Sequence, residues 1–552
     1  MKRFYFFVIL FIYIECAYSQ NIFSEFPGTM NFSRRMNLIE NDSIDYRLKN
    51  PSIFENLEHD FKIGLSKDSL DFIEPLPMFF ISKYNSGRPY GWGDLAVIPN
   101  VGFQQYLSTG LNIKYKFFNI RIQPEIVWAQ NNRYQGLSDD FYPSFYFDRY
   151  SVWSVGDFPE RLANSSYFKF LLGQSKFTFS IGSFELGVSN ENFWWGPSQF
   201  NSLTFSNNAP GFPRFEVKTL KSLKTFLGKF ETDFFIGSLS PSGIVFSQND
   251  SLNLIYGKKG IVTSKRYLNG LMVSYQPKWI DNLWIGFGRT FQVYDSLERD
   301  SFLDWFPVFE GLQKVGFFEN GNTVEYDANS RDQQFVIFGN YRVSKFLFDL
   351  YFEFGRRDHS YNWREFVLNP EHARAFILGF IKILNLKNGN SKIQILGEIT
   401  QQQPSINRNI RYSRLNTGSS WHEHSITGGF TNLGQGLGVG VGQGSNVQTI
   451  EISLVNGYEK KGITIERVER DMGFFYRVFP LPSENKPWID LSLGFLYDKQ
   501  FNNLLLSSKL QLIHARNYQW QLDPASTPEF PKGENLTSVM AQVSAIYFWK
   551  RN

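Results

Sequence analysis

The sequence predicts an all-β transmembrane protein, an antiparallel β-barrel of the outer membrane. Three observations carry that prediction. The chain opens like an exported protein and closes on an amphipathic strand rich in aromatic residues. Between the two, strands with one apolar and one polar face recur. After the leader, no apolar run reaches the length of a membrane helix.

The first residues read MKRFYFFVILFIYIECAYSQ. Lys2 and Arg3 make a basic start, Phe4 to Ile14 an apolar run too short to span a bilayer, and Ala17 and Ser19 a small-residue cleavage site. Residues 1–19 are therefore read as a signal peptide and Gln20 as the mature start. A lipoprotein leader would need a small residue where Glu15 precedes Cys16. Cys16 is the only cysteine, so the mature chain is expected to hold no thiol, disulfide or cysteine-bound metal. Residues 20–75, with stretches such as SIDYRLKNPSIFENLEHDFKIGL, lack alternation and read as a periplasmic helical segment, the alternative being a flexible leader.

Residues 76–552 are read as the barrel. The aromatic fraction is 18% and the mean hydropathy −0.29, far below a helical membrane protein. A barrel hides its apolar surface in every second residue, so its average stays low. A net charge of +4 over 552 residues gives no basis for nucleic-acid binding.

The clearest hairpin is QQFVIFGNYRVSKFLFDLYFEFG. Phe346, Phe348, Leu350, Phe352 and Phe354 share one face, and Leu347, Asp349, Tyr351 and Glu353 the other, with a tight turn at Ser344 and Lys345. In water such an apolar row would aggregate; in lipid it is an outer wall. Ile450, Ile452 and Leu454 oppose Thr449, Glu451 and Ser453 in the same way, as Leu491, Leu493, Phe495 and Tyr497 oppose Asp490, Ser492 and Gly494. In the closing strand Val539, Ala541, Val543, Ala545, Tyr547 and Trp549 face one way, while Met540, Ile546 and Phe548 break the polarity of the other face. A soluble β-sandwich is the alternative for any one strand, and a poorer account of all of them on an exported chain. Short connections near Asn119, near Ser344 and at 387–391 alternate with long ones at 131–165, 190–212, 295–332, 358–371 and 403–420. That is the pattern of periplasmic turns and extracellular loops. The alternation cannot be followed beyond residue 430, and the strand tally falls between sixteen and twenty.

The least regular segment is NENFWWGPSQFNSLTFSNNAPGFPRFEV, residues 190–217. Its prolines exclude a long helix or central strand. Trp194 and Trp195 could stack on a sugar ring, with Asn207 and Asn208 bonding its hydroxyls; equally, the indoles could be packing for a loop folded into the lumen. GQGLGVGVGQG places glycine at alternate positions from Gly434 to Gly444, which lets another backbone or a ligand approach. WHEH offers His422 and His424 on one strand face with Glu423 on the other, too few ligands for a metal site. Arg356, Arg357, Asp358, Arg364, Glu365, Glu371, His372 and Arg374 surround one long loop. Its arginines would attract acidic polysaccharide, or the loop is a solvated ion-paired one.

The 190–217 block resembles the Wzi family of outer-membrane capsule-assembly lectins. So do RPYGWGDLAVIPNVGFQQYLSTG (88–110), IRIQPEIVWAQNNRY (120–134), YFEFGRRDHSYNWREFVLNPEHARAFILGF (351–380) and WHEHSITGGFTNLGQGLGVGVGQGSNVQ (421–448). Ser198 departs from the family pattern where a glycine is expected after WWGP, and Gly442-Gln443-Gly444 stands where a G-P-G-like turn is usual. The resemblance implies an eighteen-stranded barrel with a small periplasmic helical bundle that holds capsular polysaccharide at the cell surface. The resulting expectation is a non-enzymatic monomer without metal or cofactor, partnered by surface polysaccharide and outer-membrane lipid and not by nucleic acid. A diffusion channel is the first alternative; a hydrolase built on His422 or His424 is the second.

Overall fold

The computed structural model describes residues 71–257, 263–297, 304–311, 331–357, 367, 373–386, 391–403, 421–422, 428–479 and 483–549. The signal peptide and the 20–75 segment up to residue 70 lie outside them.

The described chain is one closed antiparallel barrel. Its strands are β1 (Asp71–Asn85), β2 (Gly102–Tyr115), β3 (Phe118–Ile122 and Glu125–Ala129), β4 (Tyr167–Leu171 and Lys176–Ile181), β5 (Phe184–Ser189) and β6 (Arg214–Thr219 and Leu223–Lys224). They continue with β7 (Gly228–Leu239), β8 (Arg266–Pro277), β9 (Leu283–Tyr294), β10 (Asp332–Val343), β11 (Phe348–Arg357) and β12 (Arg374–Asn385). The last six are β13 (Lys392–Gln401), β14 (Asn446–Asn456), β15 (Glu459–Glu469), β16 (Ile489–Phe501), β17 (Leu504–Arg516) and β18 (Asn535–Tyr547). Each strand pairs with its sequence neighbours, and β18 pairs with β1 from Met78↔Tyr547 to Asn85↔Met540, so the sheet has no first or last strand. The count is eighteen once the broken β3, β4 and β6 are each taken as one strand.

Short and long connections alternate around the whole ring. The alternation was illegible beyond residue 430 because GQGLGVGVGQG has a strand's period. Residues 431–445 instead form a small internal hairpin, Thr431–Asn432 against Gln435–Gly436, followed by glycine turns. Two other details differ from the sequence reading. The β2–β3 turn falls at Lys116 and Phe117, so Asn119 lies in a strand. Ser344–Phe346 is a 3-10 turn ended by Leu347 at φ 47°, so the hairpin's apolar row begins at Phe348. The long loops also carry helices that alternation does not reveal: α1 (Pro143–Gly156), α2 (Asp250–Tyr256) and α3 (Met472–Val478).

Facing follows the pleat. Leu350, Phe352 and Phe354 are exposed on the outer wall, while Asp349, Tyr351 and Glu353 are buried inside. The same holds for Ile450, Ile452 and Leu454 against Thr449, Glu451 and Ser453. The exceptions of the closing strand are accounted for by the interior. Ile546 and Phe548 pack in a lumenal cluster with Phe79, Tyr106 and Leu505, and Met540 in another with Tyr90 and Ile513. Ile452 sits mid-strand on the lipid face, so Ile452→Arg should cost about 2–4 kcal/mol. The buried Thr449→Val change on the lumen face should cost far less. Urea titration of the barrel folded into lipid vesicles measures both.

Candidate functional site: a plugged lumen under an aromatic cap

The lumen is not a passage at loop level. After Ser189 the chain leaves the wall and runs through the interior until Arg214. Its three prolines deny it ladder pairing, so its backbone amides need other partners. Two wall carboxylates supply them. Glu353 on β11 accepts from the backbone N–H of Leu203 at 2.8 Å and of Ser198 at 3.4 Å, and from the Ser198 hydroxyl. Glu398 on β13 accepts from the N–H of Gln199 at 2.6 Å, Phe200 at 3.2 Å and Asn201 at 3.1 Å, and from the Tyr351 hydroxyl at 3.0 Å. Ser198, the departure from the family pattern, thus puts its hydroxyl to use. Gly196, at φ 106°, lets the chain turn against the wall: a Cβ there would lie 2.2 Å from Glu353 Oε1.

The two tryptophans part company here. Trp195 is buried, its Nε1 donates to Asp233 at 3.2 Å, and it meets Phe205 edge-on at 4.8 Å in a core with Phe212, Phe235 and Trp284. Trp194 and Asn207 instead line a cavity of about 160 Å³ with Trp92, Glu451, Lys460 and Asp498. Lys460 and Asp498 stand near the short-turn ends of β15 and β16, so this cavity reaches into the periplasmic half of the lumen. Asn208 works as a tie: its amide donates to the Gly436 carbonyl at 2.8 Å and accepts from the Gly93 N–H at 3.1 Å. The alternate glycines admit a backbone: a Cβ at Gly438 would lie 2.2 Å from the Leu203 carbonyl oxygen.

The predicted arginines divide between two faces. Arg357 points inward and is fully buried. Its Nε donates to Asp332 at 2.8 Å, and its other nitrogens donate to the carbonyls of Trp421 and Gly428 at 3.2 Å. Arg356 and Arg374 are directly paired across β11 and β12 on the opposite face, at the extracellular ends of those strands. Asp358 and Arg364 lie outside the described residues, as do Glu365, Glu371, His372, Glu423 and His424. His422 is fully buried, edge-on to Phe158 at 5.4 Å. Burial, and secondarily the Arg357 charge, lower its pKa to about 3. Among the described residues no three His, Cys, Asp or Glu side chains form a metal-sized group.

Pattern reading missed Glu353 and Glu398 as loop anchors, although alternation set Glu353 on the face opposite the apolar row. It also missed the wall glycines that receive the plug's indoles. A Cβ at Gly355 would stand 2.6 Å from the Trp421 ring, and one at Gly288 3.3 Å from Trp195.

Above the plug, the long loops interlock into an aromatic cap. Phe145, Tyr150 and Trp153 of α1 pack with Phe246, with Phe474 and Phe475 of α3, and with Trp520. Tyr150 donates to Asn253 of α2 at 2.8 Å, Tyr142 donates to the Val478 carbonyl at 2.7 Å, and Arg149 pairs with Asp471. On the outer side of this cap Phe147 is 62% and Tyr142 43% exposed.

A closed, eighteen-stranded barrel with a loop-filled lumen and an apolar outer belt is an outer-membrane protein whose extracellular end is a surface and not an open mouth. The family model for the capsule assembly protein Wzi matches residues 98–374, half of the chain. The chain belongs to that family and is a capsule-related outer-membrane protein. It is similar to the solved Wzi of Escherichia coli, described as a carbohydrate-binding β-barrel involved in group 1 capsule assembly. The two are 11% identical with a TM-score of 0.53 over 86% of this chain and 85% of that one. OccAB4 of Acinetobacter baumannii matches at 9% identity and a TM-score of 0.38, over 86% and 97% of the two chains. OprD of Pseudomonas aeruginosa matches at 8% and 0.37, over 86% and 92%. No curated protein matches the chain.

Two outcomes test the plug. Glu398→Ala removes the acceptor of three loop amides, at about 1–3 kcal/mol for each one left without water. In planar bilayers Glu353→Ala/Glu398→Ala should therefore pass current that the unaltered barrel does not. Acid should loosen the plug through His422. Its folded pKa is depressed below the ordinary 6.5, so the unfolded state binds the extra proton. The stability of the neutral ring is complete above pH 6.5 and is lost as pH falls toward 3, by up to about 1.4 kcal/mol per unit. Limited proteolysis of the 421–445 loop at pH 7.5 and 4.5 should show that loss, and His422→Phe should reduce it.

Proposed function

We propose that the protein binds capsular or other surface polysaccharide at its extracellular face and helps attach and organise the capsule there, as a monomer and without catalysing a reaction. The observation that carries this reading is the closed extracellular end. The chain commits four long loops to an interlocked aromatic plate over a plugged lumen, an arrangement that serves a surface-binding protein better than a diffusion channel. The Escherichia coli relative, described as a carbohydrate-binding barrel, supports the same ligand class.

On this reading the ring faces of Phe147 and Tyr142 stack on sugar C–H faces, and Arg374 at the rim holds acidic substituents, while Arg356 beside it is buried. Trp194, Trp195, Asn207, Asn208 and Arg357 act from below, by fixing the plug on which the loops rest. A hydrolase built on His422 finds no support in a fully buried ring.

The test is capsule retained on cells against capsule shed into the medium, with barrel level read on the same samples. Phe147→Ala/Tyr142→Ala should lower affinity roughly twofold to tenfold per stacking ring, at about 0.5–1.5 kcal/mol each. Arg374→Ala should act only on acidic polymer. Trp195→Ala should lower barrel level and retention together. Normal retention by both cap and rim variants at normal barrel level would sink the reading.

A further inference from the structure

Three side chains on the outer face of the wall break the rule that this face is apolar. Asn269 of β8, Arg289 of β9 and Gln333 of β10 are polar. Alternation puts Asn269 on one face with Val273, Arg289 with Ile285 and Gln333 with Ile337, and those three apolar residues are exposed. The opposite face of the same strands is lumenal, since Leu268, Trp284 and Val336 belong to the core around the plug. Asn269, Arg289 and Gln333 are nonetheless buried. Arg289 is the seventh of the twelve residues of β9, counted from the short periplasmic turn. A strand crosses the hydrocarbon core in about 9–11 residues, so Arg289 leaves the wall inside that core. An arginine bare to lipid there is costly.

Part of the long β9–β10 loop covers these groups. Residues 304–311 fold back over the outside of the wall. Phe306 and Phe309 lie on the Phe234 ring of β7 at 6.0 and 5.9 Å, and Trp305 meets Tyr267 of β8 edge-on at 5.7 Å. The polar wall groups go to the segment's backbone. Asn269 accepts from the Val308 N–H at 3.2 Å. Arg289 donates to the carbonyls of Val308 at 3.1 Å, of Gly311 at 2.9 Å and of Glu310, and its Nε donates to Gln333 at 2.7 Å. The Tyr267 hydroxyl donates to the Trp305 carbonyl. The 3-10 turn Pro307–Phe309 takes up the next carbonyls, with Phe309 and Glu310 N–H donating to Phe306 and Pro307 at 3.1 and 3.0 Å. A loop in water needs no such provision, because water would serve each group. Backbone at membrane depth has no other source of partners. The segment's charges leave that depth: Asp304 and Glu310 both pair with Arg331, at the extracellular start of β10. What it shows on its outer side is Phe309, 65% exposed, and Trp305, 44% exposed.

From this geometry we infer that residues 304–311 are a membrane-inserted flap, whose outer face is a contact for the acyl chains of the outer leaflet. The flap continues the apolar belt of Val273, Ile285 and Ile337 upward over the three polar wall residues. It fastens the β9–β10 loop to the leaflet beside the cap. The contact is on the lipid side of the wall and is independent of any polysaccharide contact on the cap.

The test is depth. The only cysteine, Cys16, lies in the predicted leader, so single cysteines can carry a label. In vesicles, bimane on Phe309→Cys should be quenched by lipids brominated along the acyl chain and shielded from aqueous iodide. Ile452→Cys on the bare wall should behave in the same way, and Phe147→Cys on the cap in the opposite one. Trp305→Cys replaces Phe309→Cys if the latter lacks the heat-modifiable migration of a folded barrel. Asn269→Ala/Arg289→Ala removes the wall's bonds to the segment and should open position 309 to iodide while position 452 stays shielded. Iodide quenching at 309 equal to that at 147 would overturn the flap. Unaltered shielding in the double variant would overturn the part given to Asn269 and Arg289. Cross-linking of two barrels through position 309 would overturn the lipid contact and assign the face to a second copy.

Discussion

Everything above mid-wall depends on two carboxylates. Glu353 and Glu398 face the lumen on β11 and β13, and between them they hold the backbone amides of five consecutive or near-consecutive residues, Ser198, Gln199, Phe200, Asn201 and Leu203. A buried charge without partners is costly, and so is a buried amide without an acceptor. Each here answers the other, so the plug fits this wall in one position. With residues 198–203 fixed, Leu203 accepts from the Trp421 indole at 2.7 Å and closes on the glycine run, and Asn207 accepts from the Leu95 N–H at 2.6 Å. The three inward loops are tied to one another through that single segment.

The interior is consequently built like a soluble core inside a membrane wall. The plug contributes Phe205 and Phe212, the wall Phe235 and Trp284, and full burial of such side chains contributes about 1.5–3 kcal/mol each. Charges are handled by pairing. Lys176, Lys218, Arg121 and Arg214 meet Glu185, Glu191 and Glu216 in one buried network on the inner face of β3 to β6 and the start of the plug. On the far side, Arg88 and Arg470 share Asp490 at 2.6 and 2.8 Å. The second arrangement ties the 86–101 loop to the 470–488 loop, which carries α3 into the cap. The cap is therefore linked to the wall through paired charges, and the 421–445 loop is tied to β10 and β11 through Asp332, Arg357 and the Trp421 carbonyl.

How much of this was legible follows from what each residue faces. Lipid is a uniform solvent, so outward residues obey one rule, and Leu350, Ile452 and Leu493 can be placed by alternation alone. The strand number required knowing that residues 431–445 were not wall, and their glycines imitate a strand. The lumen contents obey no period, because their partners lie about 150 to 200 positions away: Leu203 meets Glu353, and Gln199 meets Glu398. Adjacent Trp194 and Trp195 therefore have different fates that nothing local distinguishes. One signal was available. Met540, Ile546 and Phe548 break the polarity of the inner face, and an apolar residue pointing into a lumen announces that something packs there. The candidate site was legible as a segment and not as roles: the 190–217 block is the plug, but its amides and one of its indoles hold structure.

One departure from the wall makes the plug and, through it, the support for the surface plate. A full-height β5 and β6 would have continued past Ser189 and begun before Arg214, leaving no chain to enter the lumen. By ending β5 at Ser189 and beginning β6 at Arg214, the sequence frees residues 190–213 to meet Glu353 and Glu398. Pro213 and Pro210 enforce the choice, since neither can donate to a ladder that would rebuild the wall. Among the described residues the upper piece of β4, Tyr167–Leu171, is left paired with β3 alone. Lumen plug and supported surface plate are thus two consequences of where one chain segment was sent.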